Sequence, residues 1–350
     1  MRTVGYAASS STSDLAPFDI ERRPLRADDV LIEVEFCGVC HTDLHIARNH
    51  GGFTNYPVVP GHEVVGRVTA IGSDITRFKV GDRVGVGCMV DSCGHCGSCR
   101  DGSEQHCVEG ATFTYNAVDR HDGRPTFGGY SKALVASERF VLSIPAALDP
   151  ARAAPLLCAG ITVWEPLRRW GVGEGVRLAV VGLGGLGQMA VKLGKAMGAE
   201  VTVFTRSASK VQDALDQGAD EVVISSDDGQ MSAVAGRYHL VIDTVPYAHD
   251  LSPYLSTLAV GGDLVIAGYM GPLTPPVPAG ALVRGRKTVA GSFIGGVANT
   301  QAMLNFCAEH AIAPDIELIA IQDINQAFAR LEAGDTHRRF VIDLASLSQA

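Results

Sequence analysis

The chain has 350 residues, of which 46% are hydrophobic and nine are cysteine, with a formal charge of −9 and a sequence pI near 5.6. That length suits two domains of ordinary size, and the acidic balance excludes partners that demand a basic face, namely nucleic acid and anionic membranes. The opening run MRTVGYAASSSTSDLAPF lacks the apolar core of a secretory leader, and LAVVGLGGLGQMAV is too short and glycine-rich to span a bilayer. A cytoplasmic protein is expected, whose cysteines serve as thiols or metal ligands rather than disulfides.

In chain order, the N-terminal part reads as short strands separated by Gly and Pro. VLIEVEF alternates, with Ile32, Val34 and Phe36 on one face and Glu33 and Glu35 on the other, the pattern of a half-buried strand. VVGRVTAIG and VGDRVGVG continue it, so a β-rich, partly barrel-like region is expected. CGVCHTDLH (37–45) follows the first strand. Its C-x-x-C is a redox pair, half a zinc knuckle or two unrelated cysteines, and Thr42 and Asp43 suit the cap of a helix beginning near Leu44. His62 in PGHEVVG and Cys158 in LLCAGITVW read singly as a core histidine and a small buried thiol. CGHCGSCRDGSEQHC is more specific. Its Cys93, Cys96, Cys99 and Cys107 run C-x2-C-x2-C-x7-C, and four thiolates close a tetrahedral structural zinc shell. Gly94, Gly97 and Gly102 let that loop wrap. An iron–sulfur cluster takes the same ligands, but the chain offers it no electron-transfer partner. A zinc ribbon for nucleic acid is disfavoured by a segment with one Arg and no Lys.

Past Pro155 the pattern changes. VRLAVVG is a continuous apolar strand, and Leu186, Met189, Ala190, Leu193 and Met197 follow at helical spacing. EVTVF, EVVIS, HLVIDTV and DLVIAGY are further buried strands, and their alternation with helices predicts βαβ units and a parallel sheet. Between the first strand and its helix stands Gly182-x-Gly184-x-x-Gly187, enclosing Gly185 and Leu186. Alone this is a glycine-rich turn. After a buried strand and at the head of a helix, it fits a dinucleotide pyrophosphate resting on helical N–H groups. At the end of the second strand, where a carboxylate would bind the ribose of NAD, stand Thr205, Arg206, Ser207, Ser209 and Lys210. Cations and hydroxyls match the 2′-phosphate of NADP(H); a solvated loop is the plainer alternative. Glu200, at the start of that strand, is misplaced for the ribose. A strand near 289–294, a helix in TQAMLNFCAEH and the strand RRFVIDL complete the chain. The expected fold is α/β: a doubly wound parallel-sheet domain, 156–289, inserted into a β-rich domain made of 1–155 and 290–350.

The order of CGVCHTDLH, YPVVPGHEVVG, the four-cysteine loop, PLLCAGITVW, GLGGLG, VIDTVP and GSFIGG resembles the medium-chain, zinc-dependent alcohol dehydrogenase family and its cinnamyl-alcohol-dehydrogenase-like branch. The likeness runs nearly the whole chain. It implies a GroES-like catalytic domain and a Rossmann domain, with Cys40, His62 and Cys158 holding a catalytic zinc and Glu63 as a transient ligand. Polyol-dehydrogenase relatives lack the third cysteine. Two thiolates and an imidazole leave one position open, where an alcohol or aldehyde oxygen is polarised for hydride exchange with nicotinamide. Thr42 would give its hydroxyl to the substrate oxygen, the relay continuing through the nicotinamide ribose to His45, while Asp43 orients His62. Thr162, Thr244, Gly268, Ser292 and Ile294 match nicotinamide contacts, and Arg339, or Arg338 beside it, a basic residue near the pyrophosphate. The implied activity is NADP(H)-linked interconversion of primary alcohols and aldehydes, aromatic or cinnamyl-type. An aliphatic alcohol dehydrogenase and a non-catalytic NADPH-binding protein are the alternatives. Phe53, Tyr56, Val59, Phe113, Tyr115 and Phe293 line a pocket or belong to the core. The family's usual pairing of edge strands implies a homodimer through TVAGSFIGG, with a tetramer as the alternative.

Overall fold

The computed structural model describes residues 1–334 and 338–349. They form two compact units, Met1–Cys158 with Gly295–Ala350, and Ala159–Ile294.

In the first unit a seven-stranded sheet runs in the order Ile316–Ala320, Arg339–Asp343, Asp29–Gly38, Val64–Ile71, Arg83–Val86 and Leu142–Ser143, and Ala133–Ser137 also pairs with Asp29–Gly38. Val30, Ile32 and Val34 are buried in the core as the alternation requires. The alternation then breaks. A register shift between Val34 and Phe36 against the neighbouring strand leaves Phe36 only half-buried and turns Cys37 wholly inward. Phe36 therefore does not share the core face expected of it, because a bulge advances the pleat by one residue. Among the elements that the sequence reading does not name are the helix Ala159–Arg169, the edge strand Ile316–Ala320 and the helix Ile324–Glu332.

The second unit is a six-stranded, wholly parallel sheet in the order Glu221–Ile224, Glu200–Thr205, Arg177–Val181, Tyr238–Asp243, Leu258–Ile266 and Thr288–Gly291. Numbered along the chain, that is 3-2-1-4-5-6, the order of a dinucleotide-binding Rossmann sheet. Its order reverses next to Arg177–Val181, which runs into the glycine turn and the helix Gly185–Ala196.

Two glycines of that turn do different work. A Cβ on Gly187 would lie 2.1 Å from the Gly182 carbonyl oxygen, whereas a Cβ on Gly184 would meet nothing within 4 Å. Gly187 thus lets the helix sit against the strand end, and Gly184 keeps space open above it. Gly187→Ala is expected to destabilise the protein by about 1–3 kcal/mol, the usual cost of overpacking. Gly184→Ala should melt like the wild type, so paired thermal denaturation curves check the assignment.

Candidate active site

Cys40 precedes the helix His41–Ala47 and caps it. Asp43, at the third helical position, reaches back to accept the Cys40 backbone N–H at 2.9 Å. The same buried carboxylate accepts from Gly61 N–H (3.0 Å), His62 Nδ1 (3.1 Å) and the Tyr130 hydroxyl (3.1 Å). With Nδ1 engaged, His62 has Nε2 left for a metal, the arrangement in which a carboxylate fixes a ligand's tautomer. Burial opposes charge on His62, but Asp43 and the neighbouring thiols outweigh it and raise its pKa well above the usual range.

Cys158 ends the short turn Ala154–Leu157 ahead of the helix Ala159–Arg169. Its sulfur lies 4.0 Å from that of Cys40, close to the roughly 3.8 Å separating two thiolates on one tetrahedral zinc with bonds of about 2.3 Å. The hydrogen bond from Cys158 drives the Cys40 thiol well below its ordinary pKa against the penalty of burial, with His62 and Arg339 helping. The same bond pushes Cys158 up. Ligand atoms of Cys40, His62, Glu63 and Cys158 all lie within 4.8 Å of one another.

Glu63 is wholly buried, and one of its oxygens pairs with Arg339. The other, Oε2, has no hydrogen-bond partner among the described residues. Burial lifts the Glu63 pKa to about 8 in spite of Arg339. A buried carboxylate oxygen left bare beside two thiols and an imidazole is what a metal would satisfy, so the residues present fit the ion. A Cβ on Gly38 would fall 1.9 Å from that oxygen. Gly38 is therefore a member of the site that sequence reading passed over; its only signal was a glycine closing an apolar strand. Cys88 was likewise left unassigned. It is a half-buried thiol, and its hydrogen bond to Cys158 lowers its pKa.

Around this cluster the helix places Thr42 and His45 one turn apart. Thr42 is exposed, its hydroxyl 3.7 Å from the Cys40 sulfur. The aromatic pocket candidates separate. Val59 is core, Tyr115 is buried with its ring stacked on His62 at 5.7 Å, and the Tyr56 hydroxyl donates to the Ala47 carbonyl at 2.8 Å. Phe53 and Phe113 are exposed and Phe293 is half-buried.

The four-cysteine loop also converges, with Cys93, Cys96, Cys99 and Cys107 ligand atoms within 4.8 Å of one another and the Cys93 and Cys99 sulfurs 3.8 Å apart. Backbone N–H groups of Cys93 and Cys96 point at the sulfurs of Cys107 and Cys93, each at 3.4 Å. Such bonds favour thiolate: backbone donors bring Cys96 down to about 6, while burial raises Cys99 to about 11. Gly94 and Gly102 are in the left-handed region (φ 76 and 72). Gly97 is not, and it opens the short helix Gly97–Arg100; a turn of that kind needs no glycine, so the expectation for Gly97 is corrected. His95 spends one ring nitrogen on the Cys93 carbonyl (2.8 Å) and the other on Glu109 (3.0 Å).

In the parallel-sheet unit, Gly182 takes φ 88, and the first bond into the helix runs from Gln188 N–H to the Gly184 carbonyl. The N–H groups of Gly185, Leu186 and Gly187 therefore precede the helical ladder, as an anion site requires, and the open space over Gly184 suits a pyrophosphate. Thr244 fixes the adjoining strand end by donating to the Val181 carbonyl at 2.7 Å. A Cβ on Gly268 would lie 2.4 Å from the Thr244 carbonyl, Ser292 N–H bonds to Ile266 (3.0 Å), and Ile294 is buried at φ 34. Thr162 is buried in its helix. Thr205 is buried and accepts from Ser207 N–H at 3.2 Å. Arg206 is exposed, donates to the Tyr247 hydroxyl at 2.6 Å and lies over that ring. Among the described residues no carboxylate pairs with Arg206 or Lys210, and Glu200 is taken by Arg237 at 2.6 Å at the far end of the strand. Tyr247, which props Arg206, carried no sequence signal.

Residues 26–146 match the alcohol dehydrogenase GroES-like domain and residues 185–309 the zinc-binding dehydrogenase family. The chain is 51% identical over 349 residues to an NADP-dependent alcohol dehydrogenase C of Mycobacterium bovis, covering 99% of this chain and 100% of that one. It is similar in structure to a cinnamyl alcohol dehydrogenase of Sorghum bicolor (TM-score 0.95, 46% identity, 99% and 98% covered). It is also similar to the CAD of Helicobacter pylori solved with NADP(H) (TM-score 0.92, 38% identity, 99% of each chain). With the sheet order, both cysteine clusters and the glycine turn in place, the chain belongs to the medium-chain, zinc-dependent alcohol dehydrogenase family, in its cinnamyl-alcohol-dehydrogenase-like branch.

Proposed function

We propose that the protein is a zinc-dependent, NADP(H)-linked alcohol dehydrogenase that interconverts primary alcohols and aldehydes, with aromatic or cinnamyl-type aldehydes reduced. The observation that carries this reading is the cluster of Cys40, His62 and Cys158 with a bare Glu63 oxygen and an exposed Thr42 hydroxyl beside it. A zinc held by those three ligands supplies Lewis-acid polarisation of a substrate oxygen, and bound NADP(H) supplies the hydride. The chain's own residues do the rest. Asp43 keeps His62 in the ligating tautomer, Thr42 Oγ1 holds the proton exchanged with the substrate oxygen, and His45 on the same helical face replenishes it. Cys93, Cys96, Cys99 and Cys107 hold a structural zinc with no open position. Among the described residues no helix is long and apolar enough to cross a membrane; we place the enzyme in the cytoplasm. It is a homodimer in this reading, with the exposed edge strand Thr288–Gly291 as the pairing edge.

A panel of cinnamyl, benzyl and aliphatic aldehydes assayed with NADPH tests the substrate class; faster turnover of the aliphatic members would overturn it. Metal analysis of purified enzyme should find two zinc per chain. Cys158→Ser should retain one zinc and lose turnover. Thr42→Ala is expected to lower kcat by about a hundredfold or more, the usual share of a positioned proton donor, while Thr42→Ser stays near wild type; single-turnover rates with NADPH make the comparison. Arg206→Ala should raise KM for NADPH by about tenfold to a hundredfold, as expected for loss of a charge-assisted contact, and leave kinetics with NADH unchanged.

A further inference from the structure

The histidines that follow Cys40 form a constellation of which the dehydrogenase chemistry uses only His45. The helix His41–Ala47 ends with Asn49 in the left-handed conformation (φ 55). Asn49 N–H bonds to the Ile46 carbonyl at 3.0 Å and His50 N–H to the His45 carbonyl at 2.9 Å. These are the two bonds of a Schellman motif, which seats the residue after the left-handed one against the residue five before it. That contact is commonly apolar; here both side chains are imidazoles. Their Nδ1 atoms stand 2.8 Å apart and their rings 5.1 Å apart. His41, one turn before His45, brings a third ring to 6.3 Å from that of His45. The turn is fixed from its other side by the Thr54 hydroxyl on the Ile46 carbonyl (2.7 Å) and the Tyr56 hydroxyl on that of Ala47 (2.8 Å).

Two ring nitrogens this close hold one proton between them, and a cation that prefers nitrogen can take its place. On a tetrahedral ion with metal–nitrogen bonds of about 2.0–2.1 Å, two ligand nitrogens lie about 3.4 Å apart, so the pair needs to open by only roughly half an ångström. His50 is exposed and His45 half-buried, which leaves the pair open to solvent. Burial, and then the neighbouring His50, hold His45 below the ordinary histidine range, so its ring is in the neutral, ligating form at neutral pH. Imidazole donors select zinc, nickel or copper over magnesium or calcium.

We propose that His45 and His50 form a third metal site, separate from both cysteine clusters, which takes a borderline divalent cation with water in its remaining positions. Occupation fixes His45 Nδ1 and stops that ring from exchanging protons. The inhibitory consequence rests on the proton route proposed above, whereas the binding itself does not. The test is calorimetric titration of the two-zinc enzyme with Ni²⁺ and with Zn²⁺, with turnover measured in parallel. One further equivalent is expected to bind and turnover to fall as it does. His50→Asn, which keeps a polar group in the turn, should weaken this binding by at least about tenfold and relieve the inhibition. His50→Cys, which restores a ligand, should recover Zn²⁺ binding even if His50→Asn lowers stability. His95→Asn, at the exposed pair beside the four-cysteine loop, should leave binding and inhibition in place. No third equivalent in the wild type, or equal uptake by His50→Asn, overturns the site. Uptake without loss of turnover upholds the site and overturns the proton role of His45, so the two failures are told apart.

Discussion

One buried carboxylate sets the geometry of the metal-binding half. Asp43 collects the Cys40 backbone N–H, the Gly61 backbone N–H, His62 Nδ1 and the Tyr130 hydroxyl. Those donors come from three separate stretches of chain. A carboxylate taken out of water costs several kcal/mol unless its lone pairs are satisfied, and here donors fill them with charge-assisted bonds. The helix that starts at Cys40, the loop that presents His62 and the segment carrying Tyr130 are therefore located by one group. Moving any of them strands a buried charge. Cys40 and His62, remote in sequence, are brought to one place without a disulfide and before any ion binds.

The two cysteine clusters solve different problems with the same atom. The loop around Cys93 to Cys107 is local and held by N–H to sulfur bonds, so its chemistry is complete within one short run of chain. The cluster around Cys40 is assembled from a helix start, a strand entrance and the end of a short turn, and a thiol, Cys88, and a carboxylate, Glu63, stand beside it. A closed shell of four thiolates is suited to holding structure. Three ligands with Thr42 alongside are suited to holding something that comes and goes.

What the sequence makes legible follows from how local each feature is. The parallel strands are continuous apolar runs, and the glycine turn lies between strand and helix, so both read directly. So does the spacing of the four cysteines. The alternation of VLIEVEF predicts the strand but not its bulge, because a bulge is set by pairing with Val64–Ile71, and that partner is remote in sequence; Phe36 and Cys37 exchange their expected faces for this reason. The strand Ile316–Ala320 stands at a sheet edge with Leu318 largely exposed, so it lacks the apolar signature of its buried counterparts. Asp43 as a partner of His62 is suggested by its position, but its other two remote donors are not. Gly38, Cys88 and Tyr247 matter through neighbours far along the chain, and nothing in their own surroundings announces it.

The pairing of Glu63 with Arg339 is best understood as control of charge rather than as a source of stability. Replacing a buried ion pair with apolar groups is often neutral or favourable, so the pair's place beside Cys40 and His62 calls for another reason. Burial, aided by the charges of Cys40 and Asp43, lifts the Glu63 carboxyl to about 8 although Arg339 works against the rise; the guanidinium keeps the carboxylate form within reach. Arg339 in turn answers the negative charge of Cys40 and Cys158, both of which favour its cationic form after Glu63. Cys40 is held below the ordinary thiol range while Cys158 and Glu63 are held above theirs, so a divalent cation drawn to this cluster would displace protons from groups that burial keeps neutral. With one oxygen on Arg339 and the other bare beside Cys40, His62 and Cys158, Glu63 is placed for its charge to be answered from either side.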